Sequence, residues 1–567
     1  MTNIIDTLAK IEYNRWLSSR HLDSSTRGEL LGIDNDEAAI SDRFCGHLSF
    51  GTGGLRGIMG AGTNRMNILT VRRATMGLAD YIVAGRGKSA CIAYDTRMDS
   101  KEFAEYAAEV LCAAGITVYM FTGTRPTPLL SFAVREKKAF AGIVITASHN
   151  PREYNGYKVY GADGGQITDD VAYEISYCIE KHDVLAAAPR MDANDARERG
   201  LLFDLDDIDE LYYDKVVSLT MRRDMIKQHS KELRILYTPL HGAGNTPVRR
   251  VLSSLGYEDL SIVPEQELPD GAFPTVPCPN PEDPGVFALA LKQVEKQPVD
   301  IILATDPDCD RVAVMAPDGN GYSMLTGNQI GCLLCEYIIS AKKESGSLAE
   351  NSTVVKTIVT SDLAREICGY HGVALVETLT GFKYIGEKIG EWEDGKEHTF
   401  LFGFEESCGY LAGDFVRDKD AVIAAALICE MALHYKLKGL TLHEALVSLF
   451  SRYGFFSERL ISITLEGSEG DGKISAIMDS LRSKTATALF GNEAAETVDY
   501  MNGETGLPRS DAVKFRFKDS GWLAVRPSGT EPKVKFYFGA SGKDPLKAGA
   551  RLKRIEEIVY QLSTSLT

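Results

Sequence analysis

The chain of 567 residues carries 62 Lys and Arg against 79 Asp and Glu, a formal net charge of −17, with 44% hydrophobic and 25% charged residues. That is ordinary globular composition, enough for about four domains at ~150 residues each. The acidic balance argues against general nucleic-acid binding, which needs a basic footprint, although a few Arg and Lys focused in a cleft can still hold a small anion on an acidic protein.

The first residues include Asp6, Glu12 and Asp23 and lack a long apolar core, so a signal peptide is not expected. No stretch reaches the ~18 uncharged apolar residues of a membrane span. The 11 cysteines are scattered, which reads as reduced thiols in a cytoplasmic protein.

GTGGLRG (51–57) surrounds Arg56 with glycine, which fits a backbone loop closing over an anion. It fails as a dinucleotide fingerprint, because its spacing is G-x-G-x-x-x-G and no clear strand precedes it. Gly87-Lys88-Ser89 has the tail of a P-loop, but the earlier glycine is replaced by Ile82.

ACIAYDT (90–96), TVYMF (117–121) and AGIVITAS (141–148) read as buried strands, with SKEFAEYAAEVLCAAG (100–115) as a helix closed by Gly115. This is α/β layering. The third strand runs into TASHNP (146–151). Ser148 is either a turn serine or a ligand contact at the carboxyl end of a strand; no G-x-S-x-G elbow surrounds it. Residues 186–205, rich in Ala, Asp and Arg, read as a linker.

The layering recurs in RILYTPL (234–240), a helical stretch near 245–256, and DIILATD (300–306). DPDCDR (306–311) follows, with carboxylates at 306, 308 and 310. In an extended segment they share a face, and in a loop they converge. Three oxygens completed by water or phosphate suit Mg²⁺, whereas the alternative is a solvated acidic turn. Cys332 and Cys335 form a C-x-x-C inside IGCLLCEYII, which reads as buried helix.

STVVKTIVTS (352–361), GVALVET (372–378) and TFLFGFE (399–405) form a third set. TGFK (380–383) offers Lys383 as a phosphate or sugar contact. FEES (404–407) places Glu405 and Ser407 at a strand end, suited to sugar hydroxyls or simply a solvated loop. A second linker is expected near 450–456. The final ~115 residues read as an α+β domain ending in a helix at 545–563. RPSGTEPK (526–533) combines the Arg526 fork, two hydroxyls and a glycine that lets amides form an anion nest; an ordinary turn is the alternative.

In this order the five stretches resemble the α-D-phosphohexomutase superfamily across residues 50–535. TASHNP looks like its phosphoserine loop, DPDCDR its metal loop, FEES its sugar loop and RPSGTEP its phosphate loop. TPLHGAG (238–244) and NGYK (155–158) also match. The opening FGTGGLRGIMGAGTNRMN is most similar to the phosphoglucomutase-2 type of phosphoglucomutase/phosphomannomutase. Phe404 departs from the pattern, since many members carry glycine there.

The resemblance implies an α/β fold of four domains around a central cleft. Three are related mixed α/β domains (1–198, 205–322 and 323–450) and the fourth is a C-terminal α+β domain (455–567). It implies a phosphosugar mutase interconverting glucose 1-phosphate and glucose 6-phosphate through a phosphorylated Ser148, with glucose 1,6-bisphosphate as intermediate and activator. Phosphomannomutase, phosphopentomutase or glucose 1,6-bisphosphate synthase activity are the alternatives. Asp306, Asp308, Asp310 and Ser148 would hold one Mg²⁺ per chain. Lys158 is a candidate general acid/base, or else a phosphate contact, and Arg56 and His149 complete the catalytic set. Arg311, Gly381, Phe382, Lys383, Glu405, Ser407, Arg526, Ser528, Gly529 and Thr530 would bind substrate, supported by Asp95, Arg97 and His241. The expected partner is a small phosphosugar, with no nucleic acid or membrane, for a monomer or small homo-oligomer. A non-catalytic phosphosugar binder should lack the nucleophile or the metal ligands, and this chain has both. A simple phosphatase would need neither the sugar loop nor the C-terminal phosphate loop.

Overall fold

Short apolar runs separated by amphipathic stretches fold here as strands covered by helices. A computed structural model describes residues 2–51, 53–393, 395–465, 470–483, 494–518, 520–528 and 533–566. The chain divides into two units: Met1–Met315 with Gly386–Glu393 and Gly409–His434, and Ala316–Ile385 with Asp394–Cys408 and Tyr435–Thr567.

The first unit opens on a mixed sheet of β1 (Gly54–Ile58), β2 (Ser89–Tyr94), β3 (Thr117–Met120), β4 (Ala141–Ile145), β5 (Tyr154–Gly161) and β6 (Leu202–Asp204), ordered β1-β5-β4-β2-β3-β6. β2 runs parallel to β3 and β4, and β5 antiparallel to β4 and β1. Every residue of AGIVI is buried, as a strand covered on both faces requires. Leu78, Ile82, Phe103, Leu111 and Ile175 from the flanking helices pack with Ile143 and Ile145 in one core. The helix Ile68–Ala84 starts on a capping box, with Asn67 and Thr70 satisfying each other's backbone N–H groups; such caps stabilise by about 1 kcal/mol.

Residues 54–57 of the glycine-rich stretch lie in β1. Gly54 has φ 151, and a Cβ there would stand 2.0 Å from the Tyr157 carbonyl oxygen. Only glycine allows β1 to approach β5 at the Gly54↔Lys158 pair. The stretch 186–205 is not a linker: it contains the helix Ala193–Glu198 and β6, which pairs with β3. β6 is only three residues long, too short for a period to show in the sequence.

A second sheet holds β7 (Ile235–Thr238), β8 (Leu260–Ile262), β9 (Ile301–Thr305) and β10 (Val312–Pro317). β7 is parallel to β8 and β9, while β9 and β10 are antiparallel with Thr305 opposite Val312. DPDCDR is thus the connection of a hairpin.

In the second unit come β11 (Tyr322–Leu325), then β12 (Ser352–Thr357), β13 (Ala374–Thr378) and β14 (Thr399–Glu405), with β12 parallel to both β13 and β14. Cys332 and Cys335 are buried on the helix Gly327–Glu344, as expected, and all 11 cysteines are free thiols. β15 (Gly409–Ala412) belongs to the first unit's later segment. The C-terminal sheet of β16 (Phe455–Thr464), β17 (Ala494–Asp499), β18 (Val513–Phe517), β19 (Gly521–Pro527) and β20 (Lys533–Gly542) is antiparallel, ordered β16-β20-β19-β18-β17. Its inner face packs on Ile477, Leu481, Leu552 and Val559 of two helices. The expected break near 450–456 is one residue, Gly454 at φ 105, between the helix Leu442–Tyr453 and β16. Three α/β sheets followed by an antiparallel one give the expected fold class. No helix among the described residues is long and apolar enough to cross a membrane.

Candidate active site

In the first unit, two loops meet at Ser148. The first leaves β4, and a buried carboxylate shapes it. Asp95 accepts from the Arg97 N–H at 2.9 Å, Ser100 Oγ at 2.7 Å and Thr146 Oγ1 at 2.6 Å. Thr146 Oγ1 in turn accepts from the Ser148 N–H at 2.7 Å. The buried Arg97 guanidinium donates to the carbonyls of Ser148 (2.6 Å), Pro151 (2.9 Å), Tyr154 (3.0 Å) and Asn150. Arg56 reaches the same loop through Asn150 Oδ1 at 3.1 Å. So tied, Ser148 is held at φ 52, a left-handed conformation that a non-glycine residue adopts only when its surroundings enforce it.

The second loop is DPDCDR. Asp306 Oδ1 accepts from the N–H groups of Asp310 (3.1 Å) and Arg311 (3.0 Å), and Cys309 takes φ 51 at the bend. The curl turns all three carboxylates inward: one oxygen from each of Asp306, Asp308 and Asp310 lies within 4.8 Å of the others, and all three residues are buried. Ser148 Oγ donates to Asp306 Oδ2 at 2.7 Å. Lys158, on β5, donates to Asp308 Oδ2 at 2.9 Å and Asp310 Oδ2 at 3.5 Å. Thr127 holds the loop from the other side, its hydroxyl 2.8 Å from Asp308 Oδ2 and its N–H 2.9 Å from the Asp308 carbonyl.

The electrostatics are unbalanced. Burial, then Asp310 and Asp308, push the Asp306 carboxyl well above the usual range. Burial also opposes ionisation of Asp308, but Lys158, Lys419 and Thr127 outweigh it and hold that carboxyl low. Asp308 Oδ1 and Asp310 Oδ1 are buried with no hydrogen-bond partner among the described residues. Converging carboxylates with unsatisfied oxygens fit a divalent cation, whose ligands must be ionised. Desolvation, aided by Arg311, Arg56 and Arg97, holds His149 well below its usual range, so the imidazole is neutral; its Nδ1 lies 3.3 Å from Ser148 Oγ. Arg311 pairs with Glu282 at 2.7 Å. His241 bonds Leu268 O (3.1 Å) and Thr275 Oγ1 (2.9 Å) and touches none of the three carboxylates through those bonds.

Besides Thr127, the residues Lys419, Tyr160 and Asp418 lie near this site without having been expected from the sequence. Lys419 Nζ lies 2.9 Å from Asp310 Oδ2, and Tyr160 OH donates to Asp418 Oδ2 at 2.7 Å. The readable signal was the charge run RDKD (417–420) directly before the apolar helix Ala421–Leu437, where Asp418 and Asp420 are buried.

In the second unit, Gly381 at φ 120 donates its N–H to Glu405 Oε1 at 2.9 Å, tying the TGFK and FEES turns together. Phe382 and Lys383 are buried and Ser407 is half-buried. Phe404 points into the core: a Cβ on Gly331 would lie 2.0 Å from its ring, which stacks on Phe402 at 5.5 Å. The Phe404 departure is therefore a packing feature. Arg526 donates to Tyr537 OH at 3.2 Å and to the Pro527 carbonyl at 3.3 Å, and its Nε is buried without a hydrogen-bond partner among the described residues. The Ser528 N–H bonds the Lys533 carbonyl at 2.7 Å, closing the loop. Gly529 and Thr530 lie outside the described residues.

Four family models match the chain in order: phosphoglucomutase/phosphomannomutase α/β/α domain I at 47–185, domain II at 210–319, domain III at 326–453 and the C-terminal domain at 480–553. A phosphoglucomutase of Staphylococcus haemolyticus is 37% identical over 506 residues, covering 87% of this chain and 90% of that protein. One of Staphylococcus saprophyticus is 36% identical over 539 residues, covering 92% and 94%. Among solved structures, a Thermus thermophilus protein described as a putative phosphomannomutase superposes with a TM-score of 0.69 at 23% identity, over 91% of this chain and 99% of that one.

Proposed function

Because the chain belongs to the phosphoglucomutase/phosphomannomutase family, we propose that it interconverts glucose 1-phosphate and glucose 6-phosphate through a phosphorylated Ser148 and a glucose 1,6-bisphosphate intermediate. The observation that carries this reading is Ser148 Oγ, 2.7 Å from Asp306 beside two more buried carboxylates and Lys158. A phosphoserine carries a charge of about −1.5 to −2, which three carboxylates would repel. Asp306, Asp308 and Asp310 would therefore hold Mg²⁺, one per chain, which when bound supplies neutralising charge and polarises the transferring group.

The chain's own residues set up the rest. Arg97 and Asp95 hold the loop that presents Ser148. In the forward transfer the bond from phosphorus to Ser148 Oγ breaks as one forms to the free sugar hydroxyl. We assign Lys158, as the neutral amine, to take up the hydroxyl proton; after the bisphosphate has turned over, the other phosphoryl group leaves its sugar oxygen for Ser148 Oγ, which the first transfer left as an oxyanion, and Lys158 returns the proton to that sugar oxygen. His149, neutral beside Ser148, acts as a hydrogen-bonding neighbour of the nucleophile. Arg56 and Arg311 offer fixed cations. Gly381, Phe382, Lys383, Glu405 and Ser407 are proposed as sugar contacts, and Arg526, Ser528, Gly529 and Thr530 as contacts to the phosphate that is not reacting. We place the enzyme in the cytoplasm as a monomer or small homo-oligomer; its free thiols support that compartment.

The test is ³¹P NMR of the purified protein with Mg²⁺ and a trace of glucose 1,6-bisphosphate, in separate tubes with the 1-phosphates of glucose, mannose and ribose. Conversion of glucose 1-phosphate without inorganic phosphate is expected, and its loss by about three orders of magnitude or more in Ser148→Ala. Faster conversion of mannose or ribose phosphate would reassign the sugar, and release of phosphate alone would overturn the mutase.

A further inference from the structure

Lys419 is held more firmly than a surface-facing lysine needs to be. Its side chain threads past Gly409, where a Cβ would come within 2.7 Å of Lys419 Cδ. At its root, Asp418 Oδ1 accepts from the Lys419 N–H at 2.8 Å and lies 3.4 Å from Nζ. The other oxygen, Asp418 Oδ2, accepts from Tyr160 OH at 2.7 Å, and both Tyr160 and Asp418 are buried. Tyr160 stands two places after Lys158 on β5, so strand alternation sends both side chains to one face. Lys158 and Lys419 then converge on one atom, Asp310 Oδ2, at 3.5 and 2.9 Å.

We infer that Tyr160, acting through Asp418, is a positioning residue that fixes Lys419 against the metal-loop carboxylate Asp310. The phenol closes the Asp418 carboxylate on the side away from Lys419, so the carboxylate cannot rotate and release the ammonium group. Burial, then Asp418, push the phenol well above its usual range, so it remains an O–H donor. The inference rests on the mutase reading only for its effect on turnover; the placement of Lys419 is independent of it.

The same segment supplies the aspartate of a second tyrosine–aspartate pair. Tyr212 OH donates to Asp420 Oδ2 at 2.7 Å, but Asp420 spends its other oxygen on the N–H groups of Val422 and Ile423, both at 2.9 Å. It caps a helix and directs no lysine.

The experiment labels lysines of the full chain with acetic anhydride and reads Lys419 by peptide mass spectrometry. Tyr160→Phe is expected to raise Lys419 labelling several-fold, and Tyr212→Phe to leave it unchanged. Turnover is then read as a double-mutant cycle: Tyr160→Phe lowers kcat about tenfold, but less than about twofold when Lys419 is already Met. Unchanged Lys419 labelling in Tyr160→Phe, or the same loss of kcat with and without Lys419, would overturn the positioning role. If wild type converts no sugar phosphate, the mutase reading falls, and labelling alone still decides the inference.

Discussion

Each unit buries a cluster of charges, and the two are built on opposite balances. In the second unit, Lys356 lies 2.8 Å from Glu377 and 3.1 Å from Asp362, and Arg365 adds a second cation to Glu377 at 2.9 Å. Lys514 donates to the Ile358 carbonyl at 2.6 Å and sits over the Trp522 ring. Every carboxylate there has its cation. In the first unit, three carboxylates face Lys158 and Lys419, with Arg311 Nε 3.8 Å from Asp310 Oδ1, but all three cations lie on Asp308 and Asp310; Asp306 has no cation within ion-pair distance among the described residues, and two oxygens lack hydrogen bonds. The balanced cluster has a cation on each carboxylate, two of them on Glu377 Oε1 although that oxygen too lacks a hydrogen bond among the described residues, and it joins β12 to the C-terminal sheet, beside the apolar contact of Ile358, Val359 and Leu379 with Tyr500, Trp522 and Tyr537. The unbalanced one is complete only with an added positive charge. A buried carboxylate cluster reads as structural or functional according to what it still lacks.

The carboxyl groups respond accordingly. Burial raises Asp306, with its like-charged neighbours adding to the effect. Burial works the same way on Asp362, but Lys356 and Lys514 overcome it and bring that carboxyl down to about 2.

The largest effect is expected of Lys356→Met, which removes the buried cation of the balanced cluster. Two carboxylates would lose a buried partner, and unfolding by denaturant should show a loss of about 3–5 kcal/mol, with the Mg²⁺ concentration for half-maximal activity unchanged in the folded fraction. A shifted Mg²⁺ requirement would mean that the two clusters are not separate in function. Next comes Asp306→Asn, which should behave in reverse. The metal-free protein should melt at the same temperature or higher, since one of three crowded carboxylates is gone, while activity falls at least about 100-fold. A large drop in metal-free Tm would make the triad structural.

The smallest effect concerns Glu458, beside the balanced cluster. Burial pushes its carboxyl up to about 7, and Ser361 Oγ donates to it. The folded chain then binds more protons than the unfolded one between the usual carboxylate value and about 7, so stability falls as pH rises through that window. In Glu458→Gln this slope disappears. Melting both proteins from pH 4.5 to 8 should show wild type losing ground by about 2–4 °C; parallel curves would mean that Glu458 is not held neutral.

Ser148 and the three aspartates were legible in sequence because each motif is contiguous and follows an apolar strand, so local order alone predicted a loop at a strand end. Lys158 was legible only through the family resemblance. Tyr160, Asp418 and Lys419 were not, since 258 residues separate Tyr160 from Asp418 and the charge run RDKD marks 417–420 without saying what it pairs with. Thr127 looks like any helix-start residue until its hydroxyl is seen on Asp308. Residues 186–205 misled for the converse reason: their composition is that of a linker, but β6 is held by hydrogen bonds to β3 that composition does not register. Phe404 stood out in sequence only as a departure from the family pattern, and its direction became clear only from Gly331 on the neighbouring helix.

The left-handed backbone at Ser148 sets heat resistance against turnover at one position. An L-residue held there costs on the order of 1–2 kcal/mol relative to glycine, and the Ser148 N–H bond to Thr146 would survive the loss of the side chain. Directed evolution of this chain for thermal tolerance alone would therefore reward glycine at 148, enriching sturdier proteins that no longer turn over. A screen that couples survival to product formation would keep the serine in place.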